Sequence, residues 1–507
     1  MSKINIAIKT TLLFSTMTLF SRILAVLRDS MIANLYGTTY ITDAYFVATS
    51  IPTILFEVIG VSIATIFIPV LSEILNKKNK REMQNFANEL ISLIIIVSIL
   101  LFLITEIFSG SLVKLIAPNF TDKTYILTKL LTRISLFNLL LMGIINSFSA
   151  ILQLFNCFVT TSLSGFIMNI VCILYMLLFS NTFGIEGLVF STFFGYIIQL
   201  CVQIHYLKKI EFKYNFKLNL KNPRIKTCLQ MLGPVIMGTG ISQLNNMIDK
   251  IMASGLPAGN ISAYTFSTKL SNIMYSIFAY SIITISYPTI SSLVKENKTK
   301  ELKQFFNKVL NQLLYVMIPL TLILILNNRF IVSVLFKRGA FTEESVILTS
   351  NILIFISVAL IFTAIRDFTN NIFYSYNDTK TPMFNSVISL FINILLNILL
   401  VNDLGIYGLT LSTTFAIIYS GISLIVKLQL NYKLLYKKSL VRNLVVIIIA
   451  SIAMVVFNNN LENYIKINFS FINQLFFIMF KSMCCLIIYS CIILLANLKK
   501  LKFIRKK

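Results

Sequence analysis

Long apolar runs separated by short polar breaks dominate the chain. Each run is close to the roughly 20 residues that a helix needs to cross a bilayer. The pattern therefore predicts an all-α integral membrane protein of about fourteen transmembrane helices. The predicted spans are 6–34, 42–72, 88–116, 125–154, 159–181, 184–206, 225–253, 261–292, 306–335, 344–375, 381–401, 405–429, 440–457 and 471–496.

The basic residues concentrate in alternate loops between these spans. Short cytoplasmic loops carry an excess of Lys and Arg, and an even number of spans puts both ends of the chain on one side. The pattern therefore predicts that both termini are cytoplasmic. The basic clusters lie in 77–81, 208–226, 295–303, 433–442 and 499–507, whereas 35–41, 182–183, 254–260 and 402–404 hold no Lys or Arg.

The chain also contains an internal repeat. Ala44-Tyr45 recurs 219 residues later as Ala263-Tyr264, with Pro69 and Pro288 in the same register. Because this offset covers six predicted spans, both copies cross the membrane in the same direction, as in transporters with parallel repeats. We therefore expect two pseudo-symmetric six-helix lobes around a central cavity and two additional helices. Further matches join Ser62, Ile63, Thr65, Ile66 and Ser72 to Ser281, Ile282, Thr284, Ile285 and Ser291, and Gly184, Gly187 and Ser191 to Gly405, Gly408 and Ser412.

The repeat defines the predicted domains. They are an N-terminal lobe over 1–215, a C-terminal lobe over 216–432, and two further helices with a basic tail over 433–507. Domains of this kind are expected to enclose the substrate path between them.

Composition supports a lipid environment and excludes several functions. Of the 507 residues 57% are hydrophobic and 12% are charged, whereas soluble domains are about one quarter charged. The net charge of +25 would suggest nucleic acid in a soluble protein, but here it follows the loops, so we expect no nucleic-acid partner. The sequence has no Gly-rich phosphate-binding loop with Lys and no catalytic constellation, which predicts a non-enzymatic protein without a cofactor or bound metal.

Several ionisable residues fall inside the predicted spans, where a charge costs about 2.5–3.5 kcal/mol at the bilayer centre. Arg22 lies about 20 Å along the first helix from Lys9, at 1.5 Å per residue, which places this cation in the outer half of the membrane. Positive charge there opposes the topology signal, so a partner or a polar cavity is required. The ionisable residues include Arg22, Arg28 and Asp29 in span one, Asp43 in span two, Asp249 in span seven and Lys269 in span eight, and the polar Ser21 stands beside Arg22.

Two interpretations of these charges are open. In the first, ion pairs of Arg28 with Asp43 or of Asp249 with Lys269 hold helices together. In the second, the cations bind an anionic headgroup, since an arginine fork matches the oxygens of a diphosphate and a lysine supplies a point charge. Arg366-Asp367 in span ten is predicted to form a local pair.

The motifs, taken in order, resemble the MurJ (MviN) family of lipid II flippases, within the multidrug/oligosaccharidyl-lipid/polysaccharide transporter superfamily. The resemblance runs from about residue 8 to residue 432. It is carried by Thr18–Arg22, Leu27-Arg28-Asp29, Thr42-Asp43-Ala44, Phe67–Pro69, Asp249–Pro257, Lys337–Thr342, Phe373-Tyr374 and Asp378–Pro382. One departure is Asn272, which stands where the proteobacterial members have Glu.

The resemblance implies a function and a set of site residues. The substrate would be the undecaprenyl-diphosphate-linked disaccharide pentapeptide, moved across the bacterial inner membrane through a cavity that alternates between inward and outward states. The last two helices would form a groove for the prenyl tail. The implied substrate-binding residues are Ser21, Arg22, Arg28, Asp29, Asp43, Asp249 and Lys269. We expect a monomer.

The energy source and the substrate leave alternatives open. The prenyl chain is expected to stay in lipid, because exposing each methylene to water costs about 0.8 kcal/mol. Membrane potential supplies about 2.3 kcal/mol per charge per 100 mV, and coupling to a cation at Asp249 is a second option.

A flippase for another polyprenyl-linked glycan would have the same sequence features. A multidrug antiporter needs an acidic cavity and only twelve helices, and a glycosyltransferase needs catalytic carboxylates or large outer loops, so the sequence disfavours both.

Overall fold

The computed structural model describes residues 2–77, 79–155, 157, 159–219, 222–464 and 471–505, with side chains described for most of these and not for 2–15, 57–66, 229–239 and 471–476 among others. The described residues are helical apart from short connections, which confirms the all-α class. The helices are α1 (Ser2–Tyr36), α2 (Tyr40–Lys77), α3 (Lys80–Ile107), α4 (Ser109–Ile116), α5 (Asp122–Leu136), α6 (Asn138–Leu154), α7 (Val159–Leu178), α8 (Ser180–Lys209), α9 (Pro223–Ala253), α10 (Asn260–Met274), α11 (Tyr280–Lys295), α12 (Thr299–Leu326), α13 (Asn328–Phe336), α14 (Glu343–Ser375), α15 (Lys380–Leu404), α16 (Ile406–Tyr432), α17 (Lys437–Tyr464) and α18 (Phe471–Arg505).

Four pairs of these helices each make up one long segment: α3 with α4, α5 with α6, α10 with α11, and α12 with α13. The described residues therefore contain fourteen long segments, and each overlaps one predicted span. A π-helical turn (Tyr275–Ala279) joins α10 and α11 into a single segment. Among the described residues, nine helices are long and apolar enough to cross a membrane. The protein is therefore a multi-pass membrane protein.

Side-chain caps fix several helix starts. Asn79 accepts a hydrogen bond from the backbone N–H of Glu82 and so begins α3. Thr342 caps α14 in the same way through Ser345. Such caps satisfy backbone donors that the first helical turn leaves free, which explains why polar residues interrupt the apolar pattern at these positions.

The repeat is visible in the backbone as well as in the sequence. Both bounds of α12 stand 219 residues after the corresponding bounds of α3, and each helix is followed after one residue by a short helix, α13 or α4. Gly184 has φ 54° and ψ −145°, and its repeat partner Gly405 has φ 57° and ψ −132°. Only glycine adopts this region readily. The same break in the helix is therefore built at the same place in both copies.

The chain packs as two compact units. The first comprises Met1–Ser262 and Arg338–Phe341, and the second comprises Ala263–Lys337 and Thr342–Lys507. Helix α9, which the repeat assigns to the C-terminal lobe, packs against α2 and α4 in the first unit. These units describe packing, whereas the lobes 1–215 and 216–432 describe the repeat, so the lobe boundaries stay a prediction.

Each unit has its own apolar core. In the second unit the rings of Phe306 on α12 and Phe368 on α14 stack with centroids 5.4 Å apart. The two C-terminal helices pair along a separate seam of Ala450 and Met454 against Cys485 and Tyr489. This seam recurs every four residues on each helix, which places its members on one face.

The linker between α8 and α9 is extended and lies along α3 in the first unit. Asn88 donates a 3.2 Å hydrogen bond to the carbonyl of Lys213. The buried carboxylate of Glu89 accepts a 2.7 Å hydrogen bond from Asn222, and the ammonium group of Lys217 lies 3.4 Å from its other oxygen. The basic linker is therefore fixed to the first unit immediately before α9 begins.

Candidate functional site

Ser21 and Arg22 lie on α1 where it packs against α7. The carbonyl of Ser21 accepts a 3.0 Å hydrogen bond from Asn169. A Cβ atom at Gly165 would lie 2.6 Å from the Ser21 hydroxyl, so α1 and α7 approach closely at this point. The next residue, Arg22, is exposed and, among the side chains that the structure describes, makes no hydrogen bond or ion pair. It is therefore an accessible cation within a predicted transmembrane helix.

Arg28 and Asp29 form a local ion pair on the same helix. Both Nε and Nη2 of Arg28 donate to Oδ1 of Asp29, at 3.2 and 2.9 Å, and Asp29 is buried. The alternative in which Arg28 pairs with Asp43 is therefore wrong. Asp29 is the neighbour of Arg28 in the chain and binds its guanidinium, whereas Asp43 accepts hydrogen bonds from the backbone of Gly259 and Ser262.

Asp43 is buried, and each of its carboxylate oxygens accepts a hydrogen bond from the backbone. Oδ2 accepts a 2.6 Å hydrogen bond from the N–H of Gly259, and Oδ1 accepts one of 2.7 Å from the N–H of Ser262. These residues stand at the start of α10, where free backbone donors favour an anion. Gly259 has φ +95°, and a Cβ there would collide with the carbonyl of Thr38. Asp43 thus fixes the chain where α10 begins.

Asp249 and Lys269 belong to different compact units. Asp249 lies near the end of α9 in the first unit and is buried. Lys269 lies on α10 in the second unit and is half-buried. It stands nine residues after the start of α10, about 14 Å along the helix. Substrate binding by these two residues, as by Ser21, Arg22, Arg28, Asp29 and Asp43, stays a prediction.

Residues 338–341 of the Lys337–Thr342 motif pack on the end of α1 in the first unit. The N–H of Ala340 donates a 2.8 Å hydrogen bond to the carbonyl of Asn34. Arg338 donates to the hydroxyl of Ser30, at 3.4 Å, one residue after the Arg28–Asp29 pair. Gly339, at φ +53°, has no room for a Cβ against Asn34. The motif therefore supports the charged end of α1.

A pocket that the sequence analysis did not predict lies in the first unit. Its volume is about 260 Å³, and the ammonium group of Lys123 stands 4.4 Å from the ring centroid of Tyr40 on its rim. The N–H of Asn119 points to the hydroxyl of Ser254 at 3.4 Å. A pocket assembled from three separate stretches of the chain, each at the end of a helix, has no local sequence signal. The lining residues are Tyr40, Asp43, Asn119, Phe120, Thr121, Lys123, Thr124, Ala253, Ser254, Leu256 and Ala258.

The second unit also contains the Arg366-Asp367 pair, which the sequence placed in span ten. Nε of Arg366 lies 2.9 Å from Oδ1 of Asp367, which confirms the predicted local pair. Oδ2 of Asp367 accepts a hydrogen bond from the hydroxyl of Tyr275 in the π-helical turn.

These features define an all-helical membrane transporter fold with charged side chains inside its spanning helices, and comparison with known proteins identifies the class. A solved structure described as "Lipid II flippase MurJ, inward closed conformation" is similar over 95% of this chain and 98% of its own, with a TM-score of 0.80 and 26% identity. An inward-facing multidrug resistance transporter of the MATE family, in the MOP superfamily, is similar over 84% of this chain and 99% of its own, with a TM-score of 0.68. At 12% identity the second likeness shows the fold alone.

The sequence comparisons then identify the family. The family model "Lipid II flippase MurJ" matches residues 32–476. A probable lipid II flippase MurJ of Buchnera aphidicola subsp. Baizongia pistaciae (strain Bp) is 31% identical over 438 residues, which are 85% of this chain and 83% of the relative. The chain belongs to the MurJ family of lipid II flippases. The family is one of membrane transporters, and the expectation that the protein is not an enzyme is confirmed by this membership.

Proposed function

We propose that this protein moves lipid II, the undecaprenyl-diphosphate-linked disaccharide pentapeptide, from the cytoplasmic to the outer leaflet of the bacterial inner membrane by alternating access. The observation that carries the proposal is the family match over residues 32–476. It is supported by Arg22, an exposed cation on a predicted transmembrane helix. A charge of this kind is costly in lipid, and its usual explanation is a functional site.

In this proposal the cations bind the anionic part of the substrate. Arg22 offers all of its donors, since no described side chain occupies them. Arg28 offers less, because Nε and Nη2 are committed to Asp29. Lys269 supplies a half-buried positive charge on α10. Arginine forks suit two phosphate oxygens at once, so Arg22 is the principal ligand of the diphosphate and Arg28 assists it.

The remaining parts of the molecule take their roles from the same proposal. Both termini and the basic linker are cytoplasmic, following the distribution of Lys and Arg. The prenyl chain stays in lipid beside α17 and α18. No group on the protein forms a covalent bond with the substrate, and the membrane potential or a coupled cation drives the cycle. The protein acts as a monomer.

Depletion of the protein in its bacterium tests the substrate directly. The lipid-linked precursors would be extracted, and those on the outer leaflet separated from those on the cytoplasmic leaflet by an impermeant label. The proposal predicts that lipid II accumulates on the cytoplasmic leaflet and disappears from the outer one. If a different polyprenyl-linked glycan accumulates while lipid II is flipped normally, the substrate is that glycan and not lipid II.

Variants of Arg22 expressed in the same depleted cells test the role of this side chain. Arg22→Ala should leave the protein inserted at normal abundance and should not restore outer-leaflet lipid II, whereas Arg22→Lys should restore part of it. Arg81→Ala is the matched control, because Arg81 is also exposed and without a described partner but lies at the start of α3. Loss of the Arg22→Ala protein itself would indicate a structural role for this side chain.

A further inference from the structure

The second unit holds a charged group that the proposed function leaves unused. Arg366 and Asp367 lie on α14, a helix long and apolar enough to cross the membrane, and Tyr275 lies in the π-helical turn that interrupts the segment 260–295. Arg366 and Asp367 are 32% and 30% exposed at their side chains. Charged groups in a spanning helix are costly unless they are paired or serve a ligand, so this group requires an explanation.

The pairing of Arg366 leaves its most useful donors free. An arginine that serves only to neutralise a carboxylate commonly binds it with two parallel hydrogen bonds. Here only Nε binds Asp367, at 2.9 Å, and the second oxygen of that carboxylate is taken by Tyr275. Among the described residues, the two Nη groups of Arg366 make no hydrogen bond. Nε thus holds the guanidinium against Asp367, and the two Nη groups remain available to a ligand.

The surroundings of Arg366 contain a second polar group without a partner. Asn370 lies four residues further along α14 and therefore on the same face. Its Oδ1 is buried, and within the described residues it accepts no hydrogen bond. Buried amide oxygens are almost always satisfied. An unsatisfied amide one helical turn from an open arginine fork indicates a ligand that brings both donors and acceptors.

The π-helical turn explains how Tyr275 reaches Asp367. Turns of this type widen a helix locally, and they occur frequently at functional sites. The hydroxyl of Tyr275 orients Asp367, and Asp367 orients Arg366. Tyr275 and Asp367 are therefore positioning residues, and Arg366 is the residue available to a ligand.

We propose that Arg366 binds phosphate oxygens of the translocated lipid on the cytoplasmic side of the membrane, while Oδ1 of Asn370 accepts a hydrogen bond from a hydroxyl or N–H group of the same headgroup. This inference rests on the proposed function. Arg366 stands nine residues before the end of α14, about 14 Å along the helix, and the positive loops place that end in the cytoplasm. Arg366 therefore lies in the cytoplasmic half of α14, which is the half that the anionic headgroup enters first.

The test compares binding of two probe lipids to the full-length protein in detergent by native mass spectrometry. The probes are undecaprenyl diphosphate and undecaprenol, which share the chain and differ in the phosphates. The wild type should bind the diphosphate more tightly than the alcohol. Arg366→Ala should lower the affinity for the diphosphate about tenfold and leave the affinity for the alcohol unchanged. Phosphatidylglycerol is a third probe, and its binding should not change.

Three variants separate binding from folding. Arg366→Ala combined with Asp367→Ala removes both charges together, so no buried carboxylate is left alone, and it should bind the diphosphate as weakly as Arg366→Ala. Tyr275→Phe should weaken binding a few-fold without changing the unfolding midpoint. Arg329→Ala is the matched control, because Arg329 binds Glu343 with both Nε and Nη2 on the exposed face of α13, and it should bind like the wild type.

The outcomes distinguish this inference from the proposed function. If the wild type binds the two undecaprenyl probes equally, the proposed function itself fails. If the wild type prefers the diphosphate and both Arg366 variants match it, this inference is overturned and the proposed function stands. An equal loss of phosphatidylglycerol and undecaprenyl diphosphate would overturn it as well, since Arg366 would then bind membrane phospholipid and not the substrate.

Discussion

Asp43 accepts a 2.7 Å hydrogen bond from the backbone N–H of Ser262, the residue that stands 219 positions later in the chain. The two are equivalent in the internal repeat, because each precedes the shared Ala-Tyr pair at 44–45 and 263–264. The start of α10 in the second copy is thus fixed by a carboxylate from the start of α2 in the first copy. The bond ties α2 to the first turn of α10.

Removal of the Asp43 carboxylate should destabilise the protein. Asp43→Ala leaves the N–H groups of Gly259 and Ser262 buried without acceptors, which costs about 1–3 kcal/mol per group. Asp43→Asn keeps one acceptor oxygen and should cost less. The apparent unfolding midpoint of the purified protein in detergent should fall by several degrees for Asp43→Ala.

Asp122→Ala is the control for this measurement, because Asp122 is exposed in the first turn of α5 and has no buried donors to satisfy. It should change the midpoint little. An unchanged midpoint for Asp43→Ala together with lost transport would show that Asp43 acts on the substrate and does not serve the fold.

The paired glycines of the repeat give a second prediction. Gly184→Ala and Gly405→Ala each force a side chain into backbone conformations, near φ 55°, that cost about 1–3 kcal/mol. Both variants should lower the unfolding midpoint, and by similar amounts. Gly240→Ala is the matched control, since a Cβ there meets nothing within 4 Å and alanine favours the helix. If only one of the pair is sensitive, the two breaks are not equivalent in the fold.

The linker tests the predicted orientation. Trypsin should cleave between α8 and α9 at lysines such as Lys213 and Lys217 in inside-out membrane vesicles and not in right-side-out vesicles. Glu89→Ala removes the acceptor that holds Asn222 and Lys217, so cleavage should become several-fold faster. Glu82→Ala is a comparison on the same helix. Cleavage in right-side-out vesicles would show that the linker lies outside the cytoplasm and would contradict the predicted orientation.

The sequence predicted the helical segments well, because lipid imposes a length and a composition that hydropathy detects directly. It did not predict where a segment breaks. The span expected over 306–335 is two helices, α12 and α13, that meet at Asn327, and 88–116 divides in the same way at Phe108. The first break coincides with the polar residues Asn327, Asn328 and Arg329, and the second lies between Glu106 and Ser109. A few polar residues inside a long apolar run do not reveal whether the helix continues through them.

The charged residues show a different limit. The pairing of Arg366 with Asp367 could be predicted, since neighbours on one helix need no tertiary information. The partners of Asp43 could not, because they are backbone N–H groups more than 200 residues away in sequence. A list of ionisable residues does not reveal whether a carboxylate is directed to a ligand or to the backbone.

Transport of lipid II by the purified protein tests the central claim most directly. Proteoliposomes would carry lipid II labelled with a fluorophore on its peptide, and an impermeant quencher added outside would report the fraction on the outer leaflet. The wild type and Arg81→Ala should make nearly all of the label accessible, and Arg22→Ala should leave about half protected, as in protein-free liposomes. If the wild type leaves half of the label protected under an imposed membrane potential, or if Arg22→Ala exposes it as fast as the wild type, the account is contradicted.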